Sequence, residues 1–319
     1  MAKVTIRDVA AAAGVSVSAV SYILNGSTKK KYSESTVKAV RRAAEKLKYI
    51  PSNVARGMRS QKAYAIGLVT FWETGGSAFA PTLRAVTRAA EERGISMMLC
   101  NGSEDASYIE AFRRRTVDGF ILIAPMAMRF NERAHIAALR EAGAPFVIVN
   151  GAIRHPDAAT VYYDYYEVSR VATSHLLSLG KRRVAYVDSF SEEAARELRE
   201  RREGYTDTMR EAGLLPRVYD FEQLSTDDLD GVESIVTSRA ETARALIRRL
   251  LDNGIRVPAG FDVLAGSMGN TDEKDPLMLT SVDFPYDEAA AHAVGVIMGQ
   301  EEPLPYAPAP VFKEGKTVR

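Results

Sequence analysis

The chain has 319 residues, 46% of them hydrophobic and 26% charged, a composition that excludes a disordered or fibrous protein and fits a globular one of two or three domains. Its one cysteine, Cys100, excludes an intramolecular disulfide framework and fits a reducing cytosol. The net charge of +1 hides an asymmetry: residues 1–60 carry 12 Lys and Arg against 3 Asp and Glu, and the remainder carries 30 against 38. A basic head on an acidic body is the electrostatic footprint of a nucleic-acid binder.

The first predicted helix covers Ile6–Ala13. Thr5 is its N-cap, and Asp8 three residues on completes a capping-box pattern. Gly14 ends it as a left-handed C-cap. A second helix starts near Ser16 and stops at Asn25-Gly26, and Ile6, Val9, Ala10, Val15, Val20 and Leu24 supply an apolar seam across both. Two helices joined by a tight glycine turn make a helix-turn-helix, whose second helix enters the DNA major groove. That helix is lined with Ser16, Ser18 and Ser21, short polar side chains suited to close approach to phosphate. The basic loop Thr28–Tyr32 follows. Ser33 then caps a third helix predicted over 34–49, with Val37, Val40, Ala44 and Leu47 inward and Pro51 as its stop.

These residues resemble a known family. Val4-Thr-Ile-Arg-Asp-Val-Ala, Ala13-Gly-Val-Ser, Val20-Ser and Leu24-Asn-Gly look like the head of the lactose/galactose-repressor family of bacterial transcription regulators. The resemblance implies double-stranded operator DNA as a partner, bound as a homodimer. It places head contacts at Thr5, Ser16, Val17, Ser18, Ser21, Tyr22 and Asn25, with base reading by Val17, Ser18 and Tyr22. It also identifies 49–60 as a hinge that becomes helical when two chains pair over the minor groove, with Asn53, Ala55 and Arg56 contacting DNA and Met58 as an apolar wedge. Eight or nine residues with Gly57 among them are too few for a stable isolated helix, which suits conditional order.

From Ala63 strand and helix patterns alternate, giving an α/β fold of two doubly wound parallel sheets, a bilobed clamp with a cleft between its lobes. The predicted strands are 64–70, 95–100, 119–123, 145–150, 183–188, 234–237 and 261–265. The predicted helices are 79–93, 107–115, 132–142, 166–179, 192–212, 242–253 and 286–298. The domain reading is 1–49 for the head, 50–62 for the hinge and 63–319 for the bilobed part. Lobe 1 takes about 63–161 and 286–310, and lobe 2 about 162–285.

The resemblance continues through Arg115–Leu122, His175–Val187, Arg199–Tyr205, Glu211–Leu214 and Leu279–Val282. It implies a periplasmic-binding-protein-like core whose last helix returns to the first lobe, with a small-molecule effector between the lobes. Phe79, Asn150 and Arg201 stand at the family's usual ligand contacts. Two positions depart from it. Arg239-Ala240 replaces the usual Asn-Asp pair, and Met268 stands where a carboxylate grips sugar hydroxyls. An extra cation and a lost carboxylate point to an anionic effector, such as a sugar phosphate or organic acid, or to a pocket that no longer senses small molecules.

Enzyme readings find no support. Gly-x-Gly-x-x-Gly after a strand, the phosphate-binding Gly-x-x-x-x-Gly-Lys-Ser/Thr loop, Gly-x-Ser-x-Gly and His-Glu-x-x-His are all absent. The four histidines are widely spaced and predict no metal or other cofactor. Residues 1–5 lack a signal-peptide pattern and no apolar run reaches membrane-spanning length, so a cytoplasmic protein with no membrane partner is expected. The alternative is a bilobed solute-binding protein or sugar-handling enzyme.

Overall fold

The computed structural model describes residues 4–24, 32–49, 62–71, 79–102, 106–123, 131–150, 158–189, 195–266 and 277–319. Asn25, Asn53, Ala55, Arg56, Met58 and Met268 lie outside the described residues. The chain divides into two units, Met1–Ala63 and Tyr64–Arg319.

Among its described residues the first unit holds three helices, α1 Ile6–Ala13, α2 Val17–Leu24 and α3 Glu34–Lys46. The Thr5 amide and hydroxyl both donate to the Asp8 carboxylate, at 2.8 and 2.7 Å, closing the first turn of α1. Gly14 sits at φ 64°, and the Val15 amide reaches back to the Ala10 carbonyl at 3.1 Å. Between α1 and α2 the chain turns by 102°, the bend of a helix-turn-helix. Val9, Ala10, Val20, Ile23, Val40, Ala43 and Ala44 form the buried core of the three helices. Ile23 and Ala43 are additions to the predicted seam, whereas Ile6, Val15 and Leu24 only border it. Helix α3 ends three residues earlier than predicted. Lys48 takes a left-handed φ of 50°, and the Tyr49 amide returns to the Ala44 carbonyl at 2.8 Å, so the helix stops before Pro51 is reached.

The second unit has two sheets. In the first lobe β1 Ala65–Thr70, β2 Ser96–Asn101, β3 Phe120–Ile123, β4 Phe146–Val149 and β5 Ala159–Val161 lie in the order β2-β1-β3-β4-β5, every pair parallel. Helices α4 Phe79–Glu92, α5 Glu110–Arg113 and α6 Glu132–Glu141 connect them. Strand β3 is buried throughout and runs through the middle, whereas edge strand β2 exposes Met98 and Leu99. In the second lobe α7 Tyr165–Ser178, β6 Val184–Asp188, α8 Ala195–Glu211, β7 Arg217–Asp220, β8 Ser234–Thr237, α9 Ala240–Asp252, β9 Asp262–Ala265 and β10 Thr280–Asp283 follow in sequence. Its sheet order is β11-β10-β9-β8-β6-β7, where β11 is Val311–Lys313.

Four strands escaped the sequence reading: β5, β7, β10 and β11. Each has three or four residues, and β7 and β11 lack a buried residue, so neither length nor alternation marks them. Strand β11 adds one antiparallel pairing, with β10, to the otherwise parallel second sheet.

Helix α10, Tyr286–Met298, leaves the second lobe and packs on α4 and the first sheet, through Ala289, Ala290, Ala293, Val294 and Ile297. The chain therefore crosses between the lobes three times, around 162–164, at 284–286 and after Tyr306. Tyr306 exchanges backbone hydrogen bonds with Thr160 and Tyr162, both 2.8 Å, and Tyr163 stacks on Phe284 at 4.5 Å. No single helix among the described residues is long and apolar enough to cross a membrane.

Candidate functional site

Helix α2 presents two faces. Ala19, Val20 and Ile23 turn inward, so Val17, Ser18, Ser21 and Tyr22, at i, i+1, i+4 and i+5, share the opposite side. Val17 is 40% exposed, leaving its methyl groups open to contact. Ser16 serves as the helix cap: its hydroxyl accepts from the Ala19 amide at 3.2 Å and lies 3.0 Å from the Ser18 hydroxyl. The Thr5 hydroxyl is likewise committed to Asp8. Arg41, Arg42, Lys46 and Lys48 are all exposed on or just past α3. Among its described residues this unit thus carries both an exposed helix face of apolar and hydroxyl side chains and exposed cations on α3.

In the second unit, residues at the carboxyl ends of strands from both sheets meet. Asn150 follows β4 with a left-handed φ of 61°, a conformation that asparagine tolerates better than most residues. Its side-chain oxygen accepts from the Tyr165 hydroxyl of α7 at 2.8 Å, a direct bond between the lobes. Phe79 opens α4, half-buried against the apolar core. Arg201 on α8 is 0% exposed, and its guanidinium lies over the Tyr165 ring at 4.7 Å. Arg239 precedes α9 with 23% of its side chain exposed.

Neither arginine is a free cation. Both are bound to Glu197, one turn before Arg201 on α8 and itself buried. Arg201 Nε donates to Glu197 Oε1 at 3.1 Å. Arg239 donates through Nε to Oε1 at 3.3 Å and through Nη2 to Oε2 at 3.1 Å. Burial alone would raise the Glu197 carboxyl, but the Arg201 and Arg239 guanidinia outweigh it and hold the group below its ordinary value. Arg201 Nη1 donates to the Gly266 carbonyl at 2.7 Å, and Nη2 is buried with no hydrogen-bond partner among the described residues.

A second buried carboxyl, Asp188 at the end of β6, accepts from the Ser238 hydroxyl at 2.5 Å. Burial raises it, against the Ser238 bond and the charges of Arg201 and Arg239. Asp188 also borders a cavity of ≈ 330 Å³ lined by Phe221, Glu222, Arg239, Glu241 and Thr242. This cavity lies outside the carboxyl ends of β6 and β8, where strand order reverses, the usual ligand position in an open α/β sheet. A third pair, Arg196 and Glu200, lies 3.7 Å apart beside Tyr162, whose hydroxyl donates to Glu200 at 3.2 Å.

The structure brings Asn150, Arg201 and Arg239 into one network through Tyr165 and Glu197. Sequence reasoning missed Asp188, Glu197 and Arg196. Glu197 and Arg201 stand four apart on one helix, a spacing that signals a pair, but only the fold brings Arg239 and Asp188 to it.

Residues 5–52 match bacterial regulatory proteins of the lacI family, and residues 63–248 match the periplasmic binding proteins and sugar binding domain of the LacI family. The chain is 25% identical over 311 residues to the HTH-type transcriptional repressor PurR of Vibrio campbellii (strain ATCC BAA-1116), covering 92% of this chain and 91% of the relative. It is 26% identical over 313 residues to the ribose operon repressor of Escherichia coli (strain K12), covering 92% of each. The lac repressor dimer bound to operator and the anti-inducer ONPF superposes with a TM-score of 0.64 at 20% identity over 99% of each chain, a likeness of fold.

Proposed function

The chain belongs to the LacI family of bacterial regulatory proteins, and from that premise we propose that it represses transcription as a homodimer on a near-palindromic operator, with its affinity set by a small molecule held between the lobes. The outward side of α2 carries the reading: Val17, Ser18 and Tyr22 share it, in a head whose sequence is strongly basic. The relatives named as repressors support a regulator rather than a catalyst. The charge split between residues 1–60 and the remainder favours it over a bilobed solute receptor. In the hinge, Asn53, Ala55 and Arg56 contact DNA and Met58 enters the central base step. The protein works in the cytoplasm, where its operator is.

A mobility-shift titration at two salt concentrations tests this. Six to ten phosphate contacts would lower operator affinity by roughly 10³–10⁵ between 50 and 200 mM salt. A protein that retards no DNA at low salt would refute the proposal and return the solute-receptor reading.

Tyr22 sets operator choice. A tyrosine offers one hydroxyl and an apolar ring, and Val17 offers only contact with a thymine methyl. Half-sites should therefore lack a guanine fixed by residue 22. In vitro selection with Tyr22→Arg is expected to install one guanine per half-site, a preference of roughly 1–3 kcal/mol from a bidentate contact to O6 and N7. Identical selected sites for parent and variant would remove Tyr22 from the base edge.

For the effector, Arg201 and Arg239 first suggest an anion, but Glu197 already engages both, and Asp188 adds a second carboxyl against two guanidinia. That balance favours an uncharged ligand.

A further inference from the structure

Accepting the cleft as an effector site, we propose that Glu197 is its charge-selecting residue: an internal carboxylate seated in the guanidinium groups of Arg201 and Arg239, which makes the cleft reject phosphate- and carboxylate-bearing molecules and accept uncharged ones. Three observations carry this. Glu197 spans the two arginines with both oxygens, at 3.1 Å to each guanidinium by its shorter contacts. An incoming anion would meet these two cations only by displacing a buried carboxylate that belongs to the chain, or by sitting beside it as a second negative charge. The neighbouring carboxylates also leave no surplus of positive charge among the described residues: Glu197 and Asp188 stand against Arg201 and Arg239, Glu200 against Arg196, and Glu222 and Glu241 line the adjoining cavity. A further anion would unbalance a buried network, whereas a neutral oxygen would not. Lastly, Arg201 Nη2 is buried without a partner among the described residues. One hydroxyl or carbonyl oxygen satisfies that donor without adding charge.

The fold puts a glutamate on this spot for a local reason. Residues 197 and 201 lie one turn apart on α8, so Arg201 fixes the Glu197 rotamer from its own helix, and Arg239 reaches in from the start of α9. Charge exclusion is thus built by the second lobe alone and does not depend on lobe closure.

The test uses the full-length protein and inorganic phosphate as the bare anion, with ribose and ribose 5-phosphate as a matched pair. Binding is read by calorimetry and by the shift of the thermal transition in phosphate-free buffer. The parent is expected to show no saturable phosphate binding. Glu197→Gln, which keeps one acceptor oxygen but frees a guanidinium edge, is expected to gain phosphate and ribose 5-phosphate binding by roughly ten- to a hundredfold, the worth of one or two charge-assisted hydrogen bonds. Arg239→Gln in that background should abolish the gain. If Glu197→Gln does not fold, Glu197→Asp takes its place. Its shorter side chain cannot span both guanidinia, so a smaller gain is expected. Phosphate binding by the parent as tight as by the variants, or no gain in a folded variant, overturns the inference. Operator affinity is measured separately. A variant that gains phosphate binding with no change in operator affinity upholds Glu197 as the selecting residue while removing the effector reading on which it rests.

Discussion

Glu197→Ala is expected to lower the unfolding free energy at neutral pH by about 3–5 kcal/mol, the usual cost of leaving a buried charge without its partner. Arg201, fully buried, would keep only the Gly266 carbonyl as a hydrogen-bond acceptor, and Arg239 would lose both of its bonds to this carboxylate. The loss should depend on pH with a definite sign. The folded-state Glu197 carboxyl lies below its ordinary value, so its contribution is complete above the unfolded value of about 4.3 and disappears as pH falls through the folded value. Asp188 runs the other way: its folded value is raised, so its contribution is complete below the unfolded value and is lost as pH rises through the folded one. Urea unfolding of parent and variant should therefore differ most at neutral pH and converge in acid. A difference below about 1 kcal/mol at neutral pH would place the pair in the class of weak surface ion pairs.

Gly204→Ala is expected to cost about 3 kcal/mol, at the upper end for overpacked sites. Gly204 lies in α8 where that helix crosses α7, and a Cβ there would overlap the Tyr166 carbonyl oxygen and crowd its carbon and Cα. Backbone cannot move aside by changing a rotamer, so the helices must part. The same helix carries Arg201 and Glu197 about one and two turns earlier. Thermal unfolding of the purified variant decides the matter. A transition within one or two degrees of the parent would mean that α7 and α8 separate at little cost.

How much of this was legible beforehand follows from the range of each interaction. The capping box at Thr5 and Asp8, the stop at Gly14 and the extent of α10 depend on neighbours within a turn, and the letters carry them. The regular strands of both lobes announced themselves as apolar runs, as in Phe120–Ile123. The short strands β5, β7 and β11 form at sheet edges and β10 between β9 and β11, pairings that no local pattern encodes. The ligand cleft was the least legible part. Arg201 and Arg239 are visible as cations, but their meaning is set by Glu197 and Asp188, and Arg239 and Asp188 come to Glu197 from other elements. Each cation read singly points to an anion, and its pairing with Glu197 emerges only in the fold.

The return of α10 to the first lobe also bears on how the protein is made. The core of that lobe needs Ala289, Ala293 and Ile297, yet its first strands end at Val161. A ribosome adding about 5–20 residues per second takes on the order of ten seconds to cover the intervening second lobe. Through that interval the first sheet and α4 wait with an apolar surface uncovered, while the second lobe is synthesised. The nascent first lobe is therefore a client for chaperones until the last helix arrives, and a premature stop between the lobes leaves it sticky rather than merely shortened.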